Sequence, residues 1–234
     1  MTRASRREAS PIRRVETSLK RKVETRVPRK TITVFCEGKR SEPEYLEALR
    51  RLPEVRDVAS VDIRVDYQGS GAVPLTLVRR AAEAKERVDG EDGEVDEFWC
   101  IFDVECPIPH PNLVEAVDIA NRKGIHTAIT NPCFELWLIL HFQGHGAYID
   151  NDAARRLRRS LDGQIDKGVV STQYMSRIRV ASRRAKSLDR NHERNDTRFP
   201  QNNPSSGMHK FVTSVLPPNS TKSSRSSPSQ SKRS

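Results

Sequence analysis

Between residues 31 and 142, four short apolar runs rich in β-branched or aromatic residues alternate with segments of helical periodicity. The runs are TITVFC (31–36), SVDIRVDYQ (60–68), FWCIFDVE (98–105) and IHTAIT (125–130). Such alternation predicts an α/β fold with a mostly parallel sheet flanked by helices. The first and third runs lack clean alternation, as strands buried on both faces do. The second sets Val61, Ile63 and Val65 against Asp62, Arg64 and Asp66, the pattern of a half-buried or edge strand. Ser41-Glu42-Pro43-Glu44 reads as a capping box with Ser41 at the cap, opening a helix whose buried stripe is Tyr45, Leu46, Leu49 and Leu52. Pro74–Val88 and Pro111–Lys123 read as further helices, the latter stopped by Gly124. Asn131-Pro132 opens a helix through Phe142 that is apolar almost all round and hence buried.

Charge divides the 234 residues further. The formal net charge is +10, but residues 31–150 carry −10, whereas 1–30 carry +8, 151–194 carry +7 and 195–234 carry +5. Residues 1–30 and the Ser/Pro/Asn-rich residues 195–234 read as disordered tails, unable to bury enough apolar area to offset ordering entropy. Residues 31–150 read as the α/β domain. Residues 151–194 read as its basic helical extension, two helices joined around Gly163–Gly168. Basic segments of this kind bind phosphate or simply keep a chain soluble. The four cysteines have no paired spacing, which favours reduced thiols; Cys106 with His110 is at most half a zinc site. No secretory signal is read at the start, and the apolar run Leu136–Phe142 is too short to span a bilayer. A cytoplasmic protein without membrane association is expected.

Two strands end in carboxylates: Glu37 after the first, Asp103 and Glu105 at the end of the third. In parallel sheets, ligand sites lie at the carboxyl ends of strands. Residues two apart on a strand share a face, so Asp103 and Glu105 point together if the strand persists. Clustered carboxylates need raised pKa values, a basic partner or a divalent cation, and oxygen donors suit Mg²⁺ or Mn²⁺ better than zinc. The alternative is that these acids are separate, solvated strand ends. Glu135, the acid of the buried helix, needs either a catalytic setting or a structural ion pair with a following arginine. His141 reads as a core histidine. Gly69-Ser70-Gly71 is a weak phosphate-loop signal.

The segments FCEGKRSEPEYL, FDVE and GIHTAITNPCFELWLILHF together resemble the RloB family over roughly residues 31–190. The resemblance implies a Toprim-like fold, a role in bacterial phage defence by abortive infection, and an ATPase partner of AAA or ABC type. It also implies a glutamate acting as general acid/base and a DxD pair binding Mg²⁺. Glu37 then takes the glutamate role, Asp103 the first metal position and Glu105 the second, with Glu37 also near the metal and Glu135 as a supporting catalytic acid. DVE departs from DxD, and the extra methylene moves the ligating oxygen by ~1.5 Å. The expected activity is Mg²⁺-dependent hydrolysis of DNA or RNA, with Lys39, Arg40, Arg155, Arg158, Arg177 and Arg184 gripping nucleic acid. The other reading is a non-catalytic scaffold subunit holding nucleic acid or the ATPase.

Overall fold

The computed structural model describes residues 29–65, 73–90, 95–166 and 168–216. The Gly69-Ser70-Gly71 loop lies outside them, as do residues 1–28 and 217–234 of the expected tails 1–30 and 195–234.

The four apolar runs form strands β1 (Lys30–Cys36), β2 (Ala59–Val65), β3 (Glu97–Asp103) and β4 (His126–Asn131). They pair in parallel in the order β2-β1-β3-β4. Alternation assigns their side chains to two faces. Ile32, Val34, Cys36, Trp99, Ile101 and Ala128 enter one apolar core, while Phe35, Phe98, Cys100 and Phe102 enter the other. The expectation of a mostly parallel α/β sheet buried on both faces holds, with β2 at the edge, and it is consistent with a Toprim-like arrangement.

Helices α1 (Ser41–Arg50) and α2 (Pro53–Arg56) lead from β1 to β2. Helices α3 (Pro74–Gly90) and α4 (Leu113–Arg122) cover the second face through Leu77, Val78, Ala81 and Ala116. Gly124 follows α4 at φ 61°, the left-handed stop that its sequence position predicts. Helix α5 (Phe134–Phe142) is buried on every side, as a circumference apolar apart from Glu135 and His141 requires. It starts two residues later than expected, because Asn131 still belongs to β4. Helices α6 (Asn151–Asp162) and α8 (Ile178–Arg194) pack on α5, with the short α7 (Ser171–Met175) between them in sequence. His141 lies inside, its ring between the Tyr45 hydroxyl at 3.1 Å and the Trp137 carbonyl at 2.9 Å. Burial pushes its pKa down to about 4, so it is a neutral core histidine.

Two expectations fail here. The first is the Ser41 cap: Arg40 occupies the N-cap, with no side-chain cap bond, and Glu44 binds outward to Arg40 and to the Val169 amide instead. The second is disorder from residue 195. Ser205–Ser206 form β5, antiparallel to β4, and α9 (Met208–Val215) follows. Met208, Phe211, Val212 and Val215 repeat at helical spacing and enter the main core. Asn131 ties the preceding loop down by donating to the Pro200 carbonyl at 2.9 Å. Gly207 crosses so close to β4 that a Cβ there would lie 2.9 Å from the Ile129 nitrogen. The polar composition around this segment concealed a short amphipathic helix. Among the described residues no helix is long and apolar enough to cross a membrane.

Candidate active site

In the order β2-β1-β3-β4, the chain leaves β1 towards one side of the sheet and resumes at β3 on the other. The carboxyl ends of β1 and β3 therefore flank a topological switch point, where open α/β sheets hold their ligands. Glu37 and Asp103 stand side by side there. The Glu37 amide extends the ladder by donating to the Ile101 carbonyl at 3.1 Å, and its carboxylate accepts from the Asp103 amide at 3.3 Å. The other Glu37 oxygen lies 2.8 Å from His110 Nε2. Hydrogen bonding to Glu37 raises the His110 pKa, with burial opposing.

Gly38 has a more specific task than turning the chain. A Cβ at this position would lie 1.8 Å from Glu42 Oε2, so the missing side chain makes room for the Glu42 carboxylate. Glu42 sits in the first turn of α1 and is buried. Asp103 Oδ2 accepts from the Phe134 amide at 3.1 Å, at the amino end of α5, where free backbone donors favour an anion.

Strand β3 does not persist to Glu105. It ends at Asp103, and Glu105 takes the left-handed conformation at φ 70°. Its amide donates to the Pro132 carbonyl at 2.9 Å. Asn151, the first residue of α6, donates to Glu105 Oε2 and accepts from the Cys106 amide at 3.1 Å. The expected pairing of Asp103 with Glu105 across one strand face is thus corrected. A turn and an asparagine strap, rather than strand alternation, bring Glu105 to the same site.

Glu37, Glu42, Asp103, Glu105 and Glu135 all line one cavity of about 270 Å³. Crowding is felt at Asp103 and Glu105. The Asp103 pKa lies well above the usual carboxylate range through burial first, then repulsion from Glu42, Glu37, Glu135 and Glu105. Burial also raises Glu105, while His110 and Arg155 pull it down. The reading of separate, solvated strand ends is therefore excluded for these acids. Such a set of oxygen donors fits a hard divalent cation, which would relieve the repulsion. Among the described residues, however, no three His, Cys, Asp or Glu side chains form a ready metal-holding group as they stand.

Of the predicted basic grip, Lys39, Arg40 and Arg155 line the cavity. Arg40 is also paired with Glu44 and, at 2.9 Å, with Asp166. Arg155 contacts Asp152 only at 3.5 Å, and its Nε is buried without a hydrogen-bond partner. Two other arginines are corrected. Arg158 is 3% exposed, ion-paired with Asp162 and donating to the Asp166 and Gly168 carbonyls, so it is structural. Arg184 donates to the Leu140 carbonyl at 2.7 Å, near the carboxyl end of α5. Arg177 remains exposed outside the cavity, its guanidinium 4.8 Å from the Phe142 ring centre, and nothing in the structure decides its role.

Sequence reasoning missed Glu42 and Asn151 and paired His110 with Cys106 rather than with Glu37. Glu42 was read as part of a helix cap. His110 arrives on the proline-rich loop Cys106–Pro111, which has no periodicity to reveal its direction. Asn151 lies 46 positions from the residue it holds.

A mostly parallel α/β sheet with an acidic cavity at its switch point defines the class of this protein. A family model described as RloB-like protein matches residues 32–215, and the chain belongs to that family. No curated protein and no solved structure matches it.

Proposed function

We propose that this protein is an Mg²⁺- or Mn²⁺-dependent hydrolase of nucleic-acid phosphodiesters. One observation carries the reading: five carboxylates meet in one cavity beside Lys39, Arg40 and Arg155. A metal and a phosphoester use one charge each, and the basic segment 151–194 beside the acidic domain favours a nucleic acid over a small substrate. Asp103 and Glu105, with Glu37 or Glu42 beside them, would hold the cation. Once bound, the cation would polarise a phosphoryl oxygen and lower the pKa of water.

The chain's own residues supply the rest. Glu37, oriented by His110 and the Asp103 amide, takes or returns a proton at the attacking or leaving oxygen. Arg155 and Lys39 offset charge on the phosphate. Asn151 keeps Glu105 turned inward despite its departure from aspartate. Glu135 adds negative charge next to Asp103 and strengthens the demand for a cation. The phage-defence role and the ATPase partner implied by the family resemblance belong to this proposal, as does a cytoplasmic location.

A second reading, a non-catalytic scaffold, draws on the absence of a ready three-donor group among the described residues. Cleavage separates the two. Labelled DNA and RNA oligonucleotides incubated with the full chain and Mg²⁺, with and without a co-expressed ATPase, should be cut. Glu37→Gln should slow cutting by ~10²-fold or more. Metal-dependent cleavage that is indifferent to Glu37→Gln and Asp103→Asn, or no cleavage under any of these conditions, favours the scaffold.

A further inference from the structure

Helix α8 divides into two faces. Ile178, Ala181, Ala185 and Leu188 enter the main core. On the opposite side Arg183, Lys186, Arg190 and Arg194 recur about once per turn, and all four are exposed. They form a cationic ridge ~16 Å long, the length of roughly five nucleotide rises.

What separates this ridge from an ordinary solvated face is that its charge is left standing. Among the described residues, none of the four pairs with a carboxylate, and Arg194 bonds to the neutral Asn191 side chain. Of the two acids in α8, Asp189 is held by His209 at 2.7 Å, which leaves Glu193. By contrast, Arg50 and Arg51 meet Glu47, Arg79 meets Glu115 and Lys123 meets Glu86.

The ridge also has a direction. Its amino-terminal half lies beside the carboxyl end of α5, where Arg184 meets the Leu140 carbonyl. Its other end reaches the carboxyl end of β4. There His192 Nε2 lies 2.9 Å from the Pro204 carbonyl, and the adjoining Ser205 and Ser206 pair with Asn131 and Thr130. Parallel β3 ends on the same side with Asp103. The carboxyl end of the ridge and the acidic cavity therefore share one end of the sheet.

Three occupants compete for such a face. A lasting protein interface centres on apolar or aromatic side chains, and a helix lying on a membrane inserts them. Helix α8 exposes no large apolar side chain. A polynucleotide needs only spaced cations, because its phosphates dominate binding.

We infer that the outward face of α8 docks the phosphate backbone of a nucleic acid, without regard to sequence, through Arg183, Lys186, Arg190 and Arg194. The inference rests on the proposed reading for the class of substrate and adds the surface that holds it away from the cavity.

Fluorescence anisotropy in EDTA, over a series of salt concentrations, tests it apart from catalysis. The probes are fluorescein-labelled DNA and RNA of ~20 nucleotides, single-stranded and duplex, in two unrelated sequences. Two full-chain variants remove the same charge from opposite faces of the sheet. One is Arg183→Gln with Arg190→Gln on α8; the other is Arg122→Gln with Lys123→Gln at the end of α4. All four side chains are exposed, so neither variant should disturb the fold.

On every probe that the wild-type chain binds, the α8 variant should bind ~10-fold more weakly, alike for both sequences. The slope of log affinity against log salt should flatten by ~1.5. The α4 variant should stay within ~2-fold of wild type. Equal losses in the two variants would reduce the effect to net charge, and a loss confined to one sequence would mean base readout; either overturns the inference. So does an α8 variant that binds as wild type does, or a wild-type chain that binds no probe, which would leave the face to an acidic protein. Cleavage is scored separately. A chain that docks nucleic acid through α8 but cuts none keeps this surface and loses the phosphodiesterase reading; a chain that cuts and binds regardless of the α8 variant does the reverse.

Discussion

At the scale of single residues, Asp103 bears the cost of the crowded cavity. Burial and four neighbouring acids raise its pKa well above the ordinary value. A carboxyl whose pKa is higher folded than unfolded contributes stability below the unfolded pKa, and that contribution is lost as pH rises through the folded pKa. Without metal, Asp103 therefore works against the fold increasingly as pH rises above the unfolded pKa. Asp103→Asn should raise the unfolding midpoint in EDTA, by ~2–4 °C for each kcal/mol relieved in a chain of this size. The gain should shrink as pH falls and vanish once Asp103 is protonated in both states. Calorimetric scans across pH check this; a lower midpoint for the variant at neutral pH would mean that Asp103 is structural, held ionised by its bond to the Phe134 amide.

At the scale of elements, α6 shows how a basic helix divides its arginines. Ala154, Arg158 and Asp162 follow one another at i, i+4 and i+8 along the buried stripe, while Arg156 and Arg159 face water. Arg158 and Asp162 form a buried pair, completed by the Tyr174 hydroxyl and by the loop carbonyls that lead to α7. Removing one partner strands the other, so Arg158→Met should cost ~3–5 kcal/mol in urea unfolding. An unchanged unfolding midpoint with weaker nucleic-acid binding would instead return Arg158 to the substrate grip.

The same scale shows what could be read beforehand. Strands β1, β3 and β4 were legible as apolar runs, and Glu37 and Asp103 were legible because each ends such a run. Glu135 stood out as the acid in an apolar helix. Arg158 was not distinguishable from its neighbours, because a run of arginines does not say which one turns inward until a buried acid is found for it. His110 and Asn151 reach the site through tertiary contacts across irregular chain, for which periodicity carries no signal. Helix α9 shows the opposite failure: its apolar spacing was present, but the surrounding Asn, Pro and Ser outweighed it.

At the scale of the whole molecule, the carboxyl-terminal β5 and α9 close the far side of the sheet and complete the main core. Four buried side chains, Met208, Phe211, Val212 and Val215, come from α9. At ~1.5–3 kcal/mol for each fully buried large apolar side chain, their loss rivals the ~5–15 kcal/mol that holds a typical domain folded. Truncation after residue 200 should therefore abolish cooperative thermal unfolding measured by circular dichroism. A cooperative transition near that of the full chain would show α9 to be an appendage.

The central claim is that five converging carboxylates make a divalent-cation site at the switch point of the sheet. Its most direct test is calorimetric titration of Mg²⁺ and Mn²⁺ into the full chain and its Asp103→Asn variant. The account predicts saturable uptake by the wild-type chain and an affinity at least ~10-fold lower for Asp103→Asn, a loss of ~1.4 kcal/mol. No saturable uptake by the wild-type chain, or equal uptake by the variant, would contradict it.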